Sequence, residues 1–177
     1  NRATGTSPNF WGRSVGWYSM ALVDVLEFLP KNHPKRAALL AVLERLAAAI
    51  AAAQDPMKSV WWQVLDAPKR PKNYLEASAS SMFVYALAKG VKNGWLDRAK
   101  YGPVATRGYR GIVSEFVEVD AKGRLDLKKV CKVAGLGGNP YRDGSYDYYT
   151  STEVVSNDPK GVGAFILASV EMNQLGN

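Results

Sequence analysis

Phe10-Trp11-Gly12-Arg13-Ser14-Val15-Gly16-Trp17-Tyr18 opens the segment whose periodicity decides the fold. At about 100° per residue, Val15, Tyr18, Leu22, Val25, Leu26 and Leu29 fall on one side of a helix, a face suited to packing against other helices. Arg13, Trp17, Met20 and Asp24 fall almost opposite, in a narrow stripe. A guanidinium, an indole and a carboxylate in a row are costly to bury without partners. Two readings of Arg13 stand side by side: contact with an anionic, flat-faced molecule such as an acidic sugar, or a core ion pair with Asp24 or Glu76.

Helices continue outward from this segment. The first is expected from Trp11 to Leu29, stopped by Pro30, and the second from Pro34, at home in a first turn, to Gln54. An aromatic stretch, Val60 to Leu65, and a basic, breaker-rich loop, Pro68 to Lys72, lead to a third helix over Leu75 to Lys92, ended by Asn93-Gly94. Asp97 caps a fourth helix that reaches Glu118, and Asp120 to Gly123 turns a hairpin between Phe116 and Leu127. A long Gly/Tyr-rich loop from Ala134 to Ser151 reads as a functional rim, since structureless loops of that length in compact domains usually are. Asp158-Pro159 begins a last helix through Met172. The pattern is all-α, with 177 residues at 47% hydrophobic forming one domain, 1–177.

Composition narrows the chemistry. One cysteine, Cys131, excludes an internal disulfide and a cysteine-based metal cluster; beside Lys129 and Lys132, but with no histidine nearby in sequence, it reads as an inert buried thiol. One histidine, His33, leaves little room for His-based metal or triad chemistry, so neither metal nor cofactor is expected. The net charge of +7 is spread over Lys35, Arg36, Lys69, Arg70, Lys72, Lys89 and Lys92, with a denser patch at Lys128, Lys129 and Lys132. No nucleic-acid module accompanies it, so the charge reads as solvated faces with a general attraction for polyanions. No run approaches the roughly 18 apolar residues of a membrane span. The small-residue run after Glu76, Ala77 to Ser81, reads as tight helix packing. The glycines of Lys132 to Gly144 lack the dinucleotide spacing and follow no apolar strand.

Six segments together carry a family resemblance: Phe10 to Asp24, Trp62-Gln63-Val64-Leu65-Asp66, Asn73 to Ser80, Val133-Ala134-Gly135-Leu136-Gly137, Tyr141-Arg142-Asp143-Gly144-Ser145-Tyr146, and Asn157-Asp158-Pro159-Lys160-Gly161-Val162-Gly163. In order along nearly the whole chain, they resemble the unsaturated rhamnogalacturonyl hydrolases, glycoside hydrolase family 105. The resemblance implies an (α/α)6 barrel, a six-hairpin toroid, of which this chain is the C-terminal half. It implies an unsaturated uronic-acid oligosaccharide as substrate and hydration of a C4=C5 double bond as reaction. Trp11, Arg13 and Trp17 then contact the sugar, Arg13 through the uronate carboxylate or an adjacent hydroxyl and Trp17 by stacking, while Lys132, Val133, Ala134 and Gly135 form part of the pocket rim. The family's acid/base aspartate belongs to the preceding half, so no catalytic residue is expected in this chain, and Asp24, Glu76 and Asp143 do not take its place. The chain starts at Asn1 without an apolar leader, which is read as a piece of a longer or processed protein. A cytoplasmic location, no nucleic-acid or membrane partner, and self-association through exposed barrel edges complete the expectations. Hydrolysis of unsaturated glucuronides, or a purely sugar-binding or structural role, are the alternatives.

Overall fold

The computed structural model describes Thr4 and residues 6–176. Its elements are α1 (Gly12–Phe28), α2 (Arg36–Ala52), α3 (Ala77–Lys92), α4 (Arg98–Phe116), β1 (Val117–Val119), β2 (Leu125–Leu127), β3 (Val130–Cys131), α5 (Tyr146–Ser151), β4 (Val154–Val155) and α6 (Pro159–Leu175). Short turns make α1–α2 and α3–α4 helical hairpins. At the far end of α1, Asp24 and Glu27 hold Lys89 of α3 at 2.8 and 2.6 Å, and at the far end of α3, Lys92 holds Glu171 of α6. Hence α1, α3 and α6 run parallel, α2 and α4 return behind them, and the long connections 53–76 and 117–158 gather at one end. This alternation of parallel inner and returning outer helices is a segment of an (α/α)6 barrel.

α3 lies at the centre, against α1, α4 and α6, and every residue from Ala77 to Val91 is buried. Its small residues explain how three helices reach it. Ser80 and Ser81 turn their hydroxyls back to the carbonyls of Glu76 and Ala77, so polar side chains are satisfied inside the core. On α1, Gly12 and Gly16 remove the side chains that would stand between the helices; a Cβ on Gly16 would lie 2.9 Å from the Cβ of Met82. Trp61, fully buried, donates its indole N–H to the Ile50 carbonyl at 2.7 Å and its backbone N–H to Ser80, tying α2 to α3.

Where α1 and α3 begin, Arg13 and Glu76 form an ion pair at 3.4 Å, both removed from water. Glu76 caps α3, accepting from the Ala79 N–H at 2.7 Å, a favourable place for an anion at a helix N-terminus. It also accepts from Ser78 and from the Cys131 N–H at 2.9 Å. Arg13 donates to the Ser78 hydroxyl at 2.8 Å and to the Cys131 carbonyl. One carboxylate therefore joins α1, α3 and β3.

The buried arc of α1 lies between the two faces read from its periodicity and takes residues from each: Leu22 and Leu26 are buried as expected, Arg13 and Met20 of the opposite stripe are buried with them, and Trp17 of that stripe is 47% exposed. Arg13, Gly16, Met20 and Val23 form the buried face, with Leu22 and Leu26, whereas Tyr18 and Val25 are half exposed and Phe28 is 84% exposed. The physical reason is that Arg13 finds Glu76 and Asp24 finds Lys89 within the protein, and no neighbour among the described residues covers Tyr18, Val25 and Phe28. Other departures are local. α3 starts at Ala77, since Glu76 is the cap, and α4 stops at Phe116, where the β1–β2 hairpin leaves with Val117 opposite Leu127. The loop expected from Ala134 to Ser151 contains the one-and-a-half-turn α5, capped by the Ser145 hydroxyl, and β3 pairs with β4, Val130 opposite Val155. Asp97 and Asp158 cap α4 and α6 as their sequence signals indicate.

Gly111 sits on α4 against backbone, where an added Cβ would meet the Lys58 carbonyl at 2.5 Å, while the space at Gly163 on α6 is open. Gly111→Ala is expected to cost about 1–3 kcal/mol and Gly163→Ala to gain about 0.5–1 kcal/mol in denaturant unfolding. Glu76→Ala strands a buried guanidinium and is expected to cost about 3–5 kcal/mol, with much of it returned when Arg13→Met is combined with Glu76→Leu.

Candidate functional site

The N-terminal ends of α1 and α3 and the long connections around them form a mouth whose floor is Trp11. The segment before α1 is held by short antiparallel bridges: the Gly12 N–H donates to the Gln63 carbonyl at 2.8 Å, the Leu65 N–H to the Phe10 carbonyl at 2.9 Å, and Trp11 lies opposite Val64. Asp66 accepts from the Phe10 N–H at 3.0 Å. This pairing places the Trp11 ring parallel to that of Tyr149 on α5, centroids 5.6 Å apart and planes inclined by 20°, a stacked aromatic pair. Gln63 fixes Tyr149 in turn by donating to its carbonyl at 3.1 Å. The indole N–H of Trp11 is buried without an acceptor among the described residues. A buried donor left unpaired is expensive.

Beside the stack opens a cleft of about 180 Å³, lined by Ser7, Asn9, Trp11, Ser14, Leu136 and Tyr149 among others. It meets a larger, mainly apolar groove of about 680 Å³ between α1 and α2, sharing Phe10, Ser14 and Val15. Asn9 donates to the Gly144 carbonyl at 2.9 Å, so the Gly/Tyr-rich loop is drawn over the chain entering α1. Burial pushes the Tyr149 hydroxyl above its ordinary range, which keeps it a neutral hydrogen-bonding group.

The residues singled out from sequence occupy different layers here. Trp11 and the loop after Lys132 meet at the mouth. Arg13 lies behind it, its donors on Ser78, Glu76 and the Cys131 carbonyl and its guanidinium carbon 5.9 Å from the Trp11 ring centre. Of the two partners left open for it, the structure supplies Glu76. Asp24 instead pairs with Lys89 and Tyr85 at the other end of the helix. Trp17 is 47% exposed on the outward stripe of α1, beyond Ser14. Lys132 is exposed and pairs with Glu153 at 2.7 Å across the end of β3–β4. Val133 is exposed, Ala134 packs on the cluster of Val64, Tyr146 and Tyr149, and Gly135 makes room for Arg142, whose guanidinium would be 2.5 Å from an added Cβ.

Sequence reasoning passed over Tyr149, Leu136 and Gln63. The Tyr-rich composition of the rim was visible, but which tyrosine meets Trp11 depends on the α5 turn that Ser145 caps. The carboxylates around the mouth are engaged: Glu76 with Arg13, Asp66 with the Phe10 N–H, Glu153 with Lys132. The Ser145 backbone N–H and hydroxyl hold the Asp143 carboxyl below the usual carboxylate range, the opposite of what a proton donor at neutral pH needs. Among the described residues no group of three or more His, Cys, Asp or Glu is placed to hold a metal ion, and no helix is long and apolar enough to cross a membrane.

Residues 1–175 match the family model Glycosyl Hydrolase Family 88. Protein Atu3128 of Agrobacterium fabrum is 43% identical over 176 residues, covering 97% of this chain and 75% of that protein. An unsaturated 3S-rhamnoglycuronyl hydrolase of Formosa agariphila is 28% identical over 166 residues, 94% of this chain but 39% of that enzyme. A solved glycoside hydrolase from family 105 of C. acetobutylicum superposes with a TM-score of 0.95 at 50% identity, over 98% of this chain and 48% of that one. The chain thus spans about half the length of that structure. It belongs to Glycosyl Hydrolase Family 88, within the group whose solved structures include glycoside hydrolases of family 105.

Proposed function

We propose that the protein containing this segment removes an unsaturated galacturonic acid from the end of rhamnogalacturonan fragments left by pectin lyases. The observation that carries the reading is the Trp11–Tyr149 stack at the mouth, which lines the cleft between the start of α1 and the Gly/Tyr-rich loop. A flat aromatic platform beside a cleft suits a sugar ring, whose C–H face lies on the platform. In the reaction a carboxylic acid protonates the C4=C5 double bond, water adds at C5, and the hemiketal opens to release the neighbouring rhamnose. This chain supplies binding groups to that reaction, and the proton donor comes from the other half of the barrel.

Trp11 carries the sugar, Trp17 extends the platform along α1, and residues Lys132 to Gly135 edge it. Arg13 sits one layer below, where its charge backs the Trp11 ring and its hydrogen bonds hold the start of α1 in place. The 28% identity to the rhamnoglycuronyl hydrolase supports an unsaturated uronide as substrate.

Full-length protein incubated with the unsaturated disaccharide of rhamnogalacturonan is expected to abolish the ultraviolet absorbance of the unsaturated ring; unchanged absorbance contradicts the assignment. Faster loss with the corresponding unsaturated glucuronide of a glycosaminoglycan would transfer it to the glucuronyl hydrolases. Trp11→Ala is expected to raise KM about 2–10-fold, the equivalent of losing one aromatic contact. The isolated 177-residue chain is expected to associate with itself and to show no turnover; turnover would place the proton donor within it.

A further inference from the structure

We infer that the basic loop Pro68–Lys72 is a second subsite, which receives carboxylates further along an acidic oligosaccharide whose end lies on Trp11. The inference rests on the function proposed above and adds the substrate's length and charge to it. The loop leaves directly from the Val64–Asp66 segment that pairs with Phe10 and Trp11, so it borders the mouth. On its other side it is fastened to α5, the helix that carries Tyr149. The Tyr146 hydroxyl donates toward the carbonyls of Arg70, at 3.0 Å, and Pro71, at 2.8 Å, and the Arg70 guanidinium lies over the Tyr146 ring, 3.8 Å from its centre.

Three observations separate this loop from an ordinary solvated turn. Its backbone is clamped: Asn73 donates to the carbonyls of Val64 and Ala67 and accepts from the Val64 N–H. None of the ion pairs among the described residues uses Lys69, Arg70 or Lys72, all of them exposed, and of the three Arg70 is engaged by the Tyr146 ring. Finally, Lys69 and Lys72 both hold left-handed backbone, φ 62° and 72°, where glycine would be less strained. A rigid loop that keeps lysines in glycine-like conformations beside a sugar platform presents fixed positive charge, and a rhamnogalacturonan chain offers a carboxylate on every second sugar to meet it.

The test uses saturated rhamnogalacturonan di- and tetrasaccharides, which lack the double bond and so bind without reacting. In titration calorimetry, the full-length protein is expected to bind the two-carboxylate tetrasaccharide more tightly than the disaccharide at low salt, with the advantage fading as salt rises. Lys69→Gln combined with Lys72→Gln is expected to weaken the tetrasaccharide about 3–10-fold and leave the disaccharide unchanged, the scale of two exposed charge contacts. Equal weakening of both sugars, or of neither, overturns the inference. So does equally tight, equally lysine-dependent binding of a single-stranded DNA of matched charge. If the tetrasaccharide effect is found while the unsaturated disaccharide is not turned over, the proposed reaction fails and the subsite stands.

Discussion

A guanidinium and a carboxylate, both cut off from water, meet where α1 and α3 begin, and most of the mouth is built on them. Glu76 accepts from the Ala79 and Cys131 N–H groups and from Ser78 while facing Arg13, so one side chain caps the central helix, docks β3 and fixes the start of α1. Two buried charges are stable only when paired and fully hydrogen-bonded, and removing either leaves the other stranded. The glycines of α1 serve the same contact, because only without side chains at Gly12 and Gly16 can Arg13 come close enough to α3. The position of Trp11, two residues before Arg13, follows from that anchoring.

Much of this was legible in the chain, for identifiable reasons. Helix caps announced themselves through Asp97 and Asp158, since a short acid before a helix has one favourable use. The Arg13 stripe was recognisable as a place needing a partner, and Glu76 was one of the partners considered. What periodicity did not give was the buried arc of α1, which runs between the two faces and takes large side chains from each. The glycines at 12 and 16 settle it through close approach to Ala79 and Met82, a property of the partner helix. Tyr149 escaped for a related reason: its meeting with Trp11 joins residues far apart in sequence through the short α5 turn, which has no periodicity to read.

The layering at the mouth gives a division of labour. Behind lie the charges that hold the protein together; in front lie aromatic rings, a buried donor and a rim of loops from two long connections. The carboxylates nearby accept hydrogen bonds or pair with cations, as structural acids do, and Asp143 is biased toward the ionised form. Under the proposed function, this surface holds and orients an acidic sugar. The chain spans about half of its solved relative, and the proposed proton donor belongs to the other half.

The claim at the root of this account is that the carboxylate of Glu76 is sealed and permanently engaged. Native-state hydrogen exchange at the Ala79 and Cys131 amides, both donors to that carboxylate, reads it most directly. The account predicts that both amides exchange only when the whole molecule unfolds. Exchange as fast as in the turn of the β1–β2 hairpin, while the protein remains folded, would contradict it.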